Sequence, residues 1–152
     1  MDIGIVSDTH GLMRPEVLSA LQGVSLIIHA GDIGTPEVLQ RLQAVAPVVA
    51  VRGNTDQGVW ARNLPTTEVV EREGVSLYVL HNIAELDLDP AAADLNAVIF
   101  GHSHQPMREV QKGVLFLNPG SAGPKRFKLP VTMALLSIKE KQVTARIIGL
   151  GV

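Results

Sequence analysis

The chain has 152 residues, 46% hydrophobic and 18% charged, with a formal net charge of −2 and no cysteine. That length suffices for a substantial buried core, the composition excludes a disordered chain, and the missing thiols exclude disulfides, zinc knuckles and thiol catalysis. One compact basic cluster (Lys125, Arg126, Lys128) and few aromatic residues give a nucleic-acid partner no footing.

The segment DIGIV (2–6) reads as a strand, and Pro15 suits the first turn of a helix. SLIIHA (25–30) is the next strand; Thr35 as N-cap and Pro36 at the first helical position open a helix to about Ala44. PVVAV (47–51) is a third strand, and strands alternating with helices point to a parallel, layered α/β start. TTEVVERE and VSLYVL flank Gly74 as a hairpin, with Glu68, Glu71 and Glu73 on its wet parts. An acidic, alanine-rich helix is expected over about 85–95, then AVIF as a strand. MREVQKG, VLFLNPGS, VTMALLSI and QVTARIIGL follow as strands divided by glycine- and proline-containing turns. The pattern is α/β first and mostly β later, consistent with two packed sheets and helices outside.

No apolar run approaches the roughly 20 residues that span a bilayer, and the opening MDIGIVSDTH has no basic leader-like region. The expectation is one soluble, cytoplasmic domain over residues 1–152, with no membrane partner and self-association left open. Trp60 and Leu64 could serve an oligomer contact or belong to the core.

Potential metal or acid/base ligands follow five of the strands: Asp8 and His10, Asp32, Asn54, His81, and His102 with His104. Carboxyl ends of strands are where α/β sheets build ligand sites, because the loops converge there on a rigid frame. Taken singly, each residue has an ordinary explanation: an aspartate after a strand as a turn former, Asn54 in GNTD as a β-turn, a histidine as a packed side chain. Together they do not, because four of the five histidines fall in these places and turn chemistry has no preference for imidazole. Seven oxygen and imidazole ligands exceed one tetrahedral ion and suit two ions sharing a bridging carboxylate. A mixed carboxylate, imidazole and amide set without thiolate favours manganese, with zinc, iron, cobalt or nickel as alternatives, over calcium or magnesium alone. His29 lies inside an apolar strand, and reads as a packed residue supporting Asp32 or a backbone group from behind.

The blocks SDTHG (7–11), HAGDI (29–33), RGNTD (52–56), LHN (80–82), GHSH (101–104) and NPGS (118–121) together resemble the calcineurin-like metallophosphoesterase superfamily. The resemblance is to its small single-domain phosphodiesterase branch, whose fold also serves a eukaryotic retromer subunit. It implies a four-layer αββα sandwich of two mixed β-sheets flanked by helices. It also implies that Asp8, His10, Asp32 and His104 hold one metal, while Asp32 bridges to a second held by Asn54, His81 and His102. The implied activity is hydrolysis of small phosphodiesters by in-line attack of a metal-bridging hydroxide, with no side-chain base. Many members of the superfamily carry a histidine after Gly-Asn, assigned to the leaving group; here that position is Thr55. Activated or cyclic phosphodiesters are therefore expected to outpace alkyl monoesters. Arg52, Ser121, Lys125 and Arg126 are candidate phosphate contacts, the last three in a stretch that reads equally as a connecting loop. The alternative, suggested by the retromer relative, is a catalytically silent scaffold, for which loss of a ligand would be the expected sign; none is lost here.

Overall fold

The computed structural model describes residues 1–152. Ten strands form two mixed sheets of five. The first contains β1 (Asp2–Val6), β2 (Leu26–His29), β3 (Val48–Ala50), β9 (Thr132–Lys139) and β10 (Gln142–Gly149), in the order β10-β9-β1-β2-β3. The second contains β4 (Thr67–Arg72), β5 (Val75–Leu80), β6 (Ala97–Ile99), β7 (Met107–Gln111) and β8 (Val114–Asn118), in the order β4-β5-β6-β8-β7. Each sheet has a parallel heart, β1-β2-β3 in one and β5-β6-β8 in the other, with antiparallel strands outside.

Side-chain alternation along the strands builds the layers. Ile3, Ile5, Leu26, Ile28, Ala134 and Leu136 face one way and meet Leu77, Val79, Ala97, Ile99, Leu115 and Leu117 from the second sheet in a buried inter-sheet core. The opposite face of the first sheet sends Val6, Ile27 and Met133 against Val17, Leu21, Val38 and Leu42 of the helical layer. That layer is α1 (Pro15–Ala20), α2 (Pro36–Gln43) and the short α3 (Val59–Arg62). Trp60 and Leu64 pack, partly buried, against this same cluster. Pro36 sits at the start of α2 as the sequence implies, but Thr35 makes no side-chain cap hydrogen bond.

The fourth layer differs from expectation. Residues 85–95 do not form an α-helix: only a 3-10 turn, Ile83–Glu85, precedes linked turns. Leu86 is extended, Asp89 accepts the amides of Ala91 and Ala92, and Asp94 lies at φ 58°. Pro90 biases Asp89 away from helical backbone, and the Asp89 carboxylate then closes a turn. The segment still covers the outer face of the second sheet, where Leu86, Ala91 and Leu95 meet Tyr78, Leu80, Val98 and Phe100. No helix is long and apolar enough to cross a membrane.

Candidate metal centre

The two parallel hearts end level with one another. Val6 pairs with His29 and His29 with Ala50; Val79 pairs with Ile99 and Ile99 with Leu117. The loops leaving these six strands therefore meet at one edge of the sandwich. Asp8 and His10 follow β1, Asp32 follows β2, Asn54 follows β3, His81 follows β5, and His102 and His104 follow β6. Backbone hydrogen bonds carry the strand pairing into the loops, from Asp8 N–H to the Gly31 carbonyl (3.0 Å), His10 N–H to Asp32 (2.9 Å) and Gly101 N–H to His81 (2.9 Å).

Asp8, Asp32, His81 and His104 are buried, and His10, Asn54 and His102 complete the exposed side. Each aspartate presents one oxygen. Asp8 Oδ2 accepts from Ser7 Oγ (2.8 Å) and His102 N–H (3.2 Å), leaving Oδ1 without a partner; Asp32 Oδ1 accepts the Thr55 amide (3.0 Å), leaving Oδ2 facing inward. Around Asp8 Oδ1 stand His104 Nε2 at 3.4 Å, His10 Nε2 at 3.8 Å and His81 Nε2 at 3.9 Å. Asp32 Oδ2 lies 3.2 Å from His81 Nε2 and 3.8 Å from His10 Nε2. The His10 and His104 Nε2 atoms are 3.3 Å apart, His102 Nδ1 is 3.2 Å from Asn54 Oδ1, and the His81 and His102 rings meet edge to face at 5.2 Å. Both carboxylates thus stand between a His10–His104 pair and a His81–His102 pair.

The donor set fits divalent ions. Asp8–His10–His104 and Asp8–Asp32–His81 are each close enough to share one ion. Ligand atoms about 2.1 Å from an ion lie roughly 3.0–3.4 Å from one another, the range of the shortest separations here. Asp8 Oδ1 and His81 Nε2 are buried with no hydrogen-bond partner, a costly arrangement in the absence of a ligand.

Backbone conformation supplies a second mark. Asp8 (φ 57°), His10 (47°), Asp32 (56°), His102 (73°) and His104 (62°) all occupy the left-handed region. Non-glycine residues pay about 1–3 kcal/mol of strain there, so five such residues in one cluster indicate loops shaped for where their side chains point. Neighbouring glycines make room. A Cβ on Gly53 would overlap the amide and Oδ1 of Asp32, and one on Gly101 would overlap Ser7 Oγ.

The charges respond to this crowding. Burial raises the Asp8 carboxyl above its ordinary value, against the opposing pull of His81, Ser7 and His104. Burial also works against an ionised Asp32, but the His81 imidazole 3.2 Å away and the Thr55 amide outweigh it and hold the group well below the usual carboxylate range. His81 is raised: burial opposes its charge, and the close Asp32 carboxylate, the bond from Nδ1 to the Ala30 carbonyl and the Asp8 carboxylate overcome that. His104 is lowered, chiefly by burial; the attraction of Asp8 and Asp32 opposes this, and repulsion from Arg126 and His10 adds to it.

Behind the candidate ligands stand supporting residues, of which His29 is visible in the sequence and Asp56 is not. Asp56, 1% exposed, accepts the amides of Ile33 (3.2 Å), Gly34 (3.0 Å) and Gly53 (2.9 Å), tying the Asp32 loop to the Asn54 loop. Asn118 donates to the Gly101 carbonyl and Ser103 Oγ, fixing the loop of His102 and His104. His29 is fully buried between loops: its Nδ1 accepts the Gly31 amide (3.1 Å), so Nε2 carries the hydrogen shared with Thr9 Oγ1 (2.9 Å). Burial pushes its pKa down to about 3, keeping it neutral.

The candidate phosphate contacts separate. Ser121 is 4% exposed, its hydroxyl donates to the Asp8 carbonyl and accepts the Gly123 amide, and it braces the Asp8 loop from inside. Lys125 and Arg126 lie on an exposed loop, with the Arg126 charge close enough to act on His104. Arg52 donates from Nε to the Asp56 carbonyl (3.3 Å) and borders a cleft beside Asn54 and His81.

Residues 1–141 match the model of the calcineurin-like phosphoesterase superfamily domain. The chain belongs to that superfamily, a class of metal-dependent phosphoesterases. It is 34% identical to a probable metallophosphoesterase of Methanothermobacter thermautotrophicus, across 99% of this chain and 94% of the relative. Its fold is shared with an archaeal phosphodiesterase (TM-score 0.80, 23% identity, covering 97% of this chain and all of that one). It is also shared with Vps29 from Entamoeba histolytica, solved in complex with zinc (TM-score 0.75, 21% identity, covering 99% and 100%).

Proposed function

We propose that residues 1–152 act as one unit, a phosphodiesterase that holds two divalent ions and hydrolyses small phosphodiesters. The observation that carries this reading is the convergence of Asp8, Asp32 and their flanking histidines, with Asp8 Oδ1 and His81 Nε2 buried and unpartnered. One ion would be held by Asp8, His10, Asp32 and His104, the other by Asp32, Asn54, His81 and His102. Asp32 Oδ2, within reach of both His10 and His81, suits the shared position. Manganese is the favoured ion on ligand type. Two such ions supply Lewis-acid polarisation of phosphoryl oxygens and lower the pKa of water.

The chain's own residues do the rest. Ser7, the His102 amide and the Thr55 amide turn one oxygen of each aspartate inward, while His29 and Asp56 hold the loops behind them. Thr55 offers no imidazole to protonate a departing alkoxide, which favours esters of acidic alcohols and cyclic diesters over alkyl monoesters. Arg126, whose charge reaches His104, and the adjoining exposed Lys125 would offer positive charge to an approaching anionic ester.

The test is hydrolysis of bis(4-nitrophenyl) phosphate by chelator-stripped protein with manganese added back, beside His81→Ala and His104→Ala. Activity should return with the ion and collapse in both variants. The fold shared with Vps29 supports a second reading, a scaffold without turnover; a folded protein that binds two ions and hydrolyses nothing would select it.

A further inference from the structure

Next to the metal centre, on its His81 side, lies a cleft of about 320 Å³ whose lining contains no apolar residue. Arg52, Thr66, Asn82 and Glu85 form its walls, and Asn54 and His81 form the end that meets the candidate metal ligands. Most clefts that take aryl or acyl groups are lined mainly by apolar and aromatic side chains. This one has no aliphatic side chain and no Phe, Tyr or Trp in its lining.

Its polar atoms are committed in an instructive way. Arg52 is fixed by Nε to the Asp56 carbonyl and by its own amide to the Pro65 carbonyl (2.8 Å), while its Nη groups have no partner in the chain. Asn82 uses its side-chain oxygen to cap Ala84 (3.0 Å), so its Nδ2 hydrogens remain to donate. The Glu85 carboxylate makes neither an ion pair nor a hydrogen bond, although Arg52 borders the same cleft. Donors and an acceptor therefore line one cleft, Asn82 and Glu85 from the same turn and Arg52 from the loop after β3, with no ion pair closing the space between Arg52 and Glu85. Hydroxyl groups, which donate and accept at once, can bridge such a gap. A second phosphate would be repelled by Glu85.

Resting on the phosphodiesterase reading above, the geometry points to this cleft as a subsite for a polyhydroxylated alcohol esterified to the scissile phosphate, with Glu85 and Asn82 binding its hydroxyls and Arg52 the adjoining phosphoryl oxygen. The substrate class is a phosphodiester of glycerol or a sugar alcohol. The subsite leaves the reaction unchanged: one water adds to phosphorus, the bond to the departing alcohol breaks, and a phosphate monoester and a proton are released.

The test compares two mixed diesters with the same leaving group, glyceryl 4-nitrophenyl phosphate and propyl 4-nitrophenyl phosphate, on the manganese-loaded protein. The glyceryl ester should be favoured at least about tenfold in kcat/KM, the scale of one charge-assisted hydrogen bond, and Glu85→Ala should bring that ratio towards one. Calorimetric titration with glycerol 3-phosphate against propyl phosphate gives the same comparison without turnover and should show the same loss in the variant. Equal rates and affinities for both ligands in the unaltered protein, or a preference that survives Glu85→Ala, would overturn the subsite while metal-dependent hydrolysis of the propyl ester still upheld the phosphodiesterase. If neither ester is hydrolysed with any divalent ion, that reading falls and the subsite with it.

Discussion

Replacing Asp56 by alanine should weaken the whole metal-bearing edge, although Asp56 is not among the proposed ligands. The carboxylate accepts three backbone amides from two loops, and two of the donors, Ile33 and Gly53, are buried. An amide left buried and unpaired costs about 1–3 kcal/mol, so two imply a loss of about 2–6 kcal/mol. The third amide, of Gly34, belongs to an exposed residue and can turn to water. A domain of this kind has about 5–15 kcal/mol in total, so the loss is a large share of its stability and the urea midpoint should be clearly lowered. Asp56→Asn should lose less, because one oxygen in the Oδ2 position keeps both buried donors and only the Gly34 amide faces the new NH₂ group. Urea unfolding of metal-free protein, followed through the single, partly buried Trp60, measures this. Manganese titration should show weaker binding in Asp56→Ala, since the loops carrying Asp32 and Asn54 are no longer joined. A variant within about 0.5 kcal/mol of the parent, the range of an ordinary surface change, would refute the reasoning.

Two further outcomes follow from the same geometry. His29 has a folded pKa of about 3 against an ordinary 6.5, so the unfolded chain binds more protons between those values and stability falls as the pH drops through that window. At about 1.4 kcal/mol per pH unit, metal-free parent protein should lose about 2 kcal/mol more than His29→Asn between pH 7.5 and 5.0 in urea titrations; parallel losses would show that His29 protonates freely. Gly53→Ala should reduce manganese affinity at least about tenfold by calorimetry, because the added methyl occupies the space of the Asp32 amide and Oδ1; unchanged affinity would mean the Asp32 loop yields without moving its carboxylate.

The sequence exposed those parts of the site whose chemistry is unusual for their position. Histidines after β5 and β6 and aspartates after β1 and β2 are visible because apolar strands run into them, and a glycine stands beside Asp32 and His102. Asp56 was hidden in RGNTD because an aspartate two residues after Asn54 reads as a turn former, and only the fold brings the Ile33 and Gly34 amides to it. The left-handed backbone of Asp8, His10, Asp32, His102 and His104 could not be read either, since no residue there has glycine's freedom and tertiary contacts impose the conformation. The bracing role of Ser121 was not legible, because a serine in a glycine-rich loop gives no sign that its hydroxyl turns inward to the Asp8 carbonyl. The expected helix over 85–95 failed on Pro90 and the Asp89 turn, although alanine and acidic content there favour helix.

Anomalous diffraction from crystals of the manganese-loaded protein tests the central claim most directly. Two peaks should appear, one among Asp8, His10 and His104 and one among Asn54, His81 and His102, with Asp32 touching both. A single peak, or peaks away from these residues in protein that hydrolyses an aryl phosphodiester, would contradict the two-ion centre.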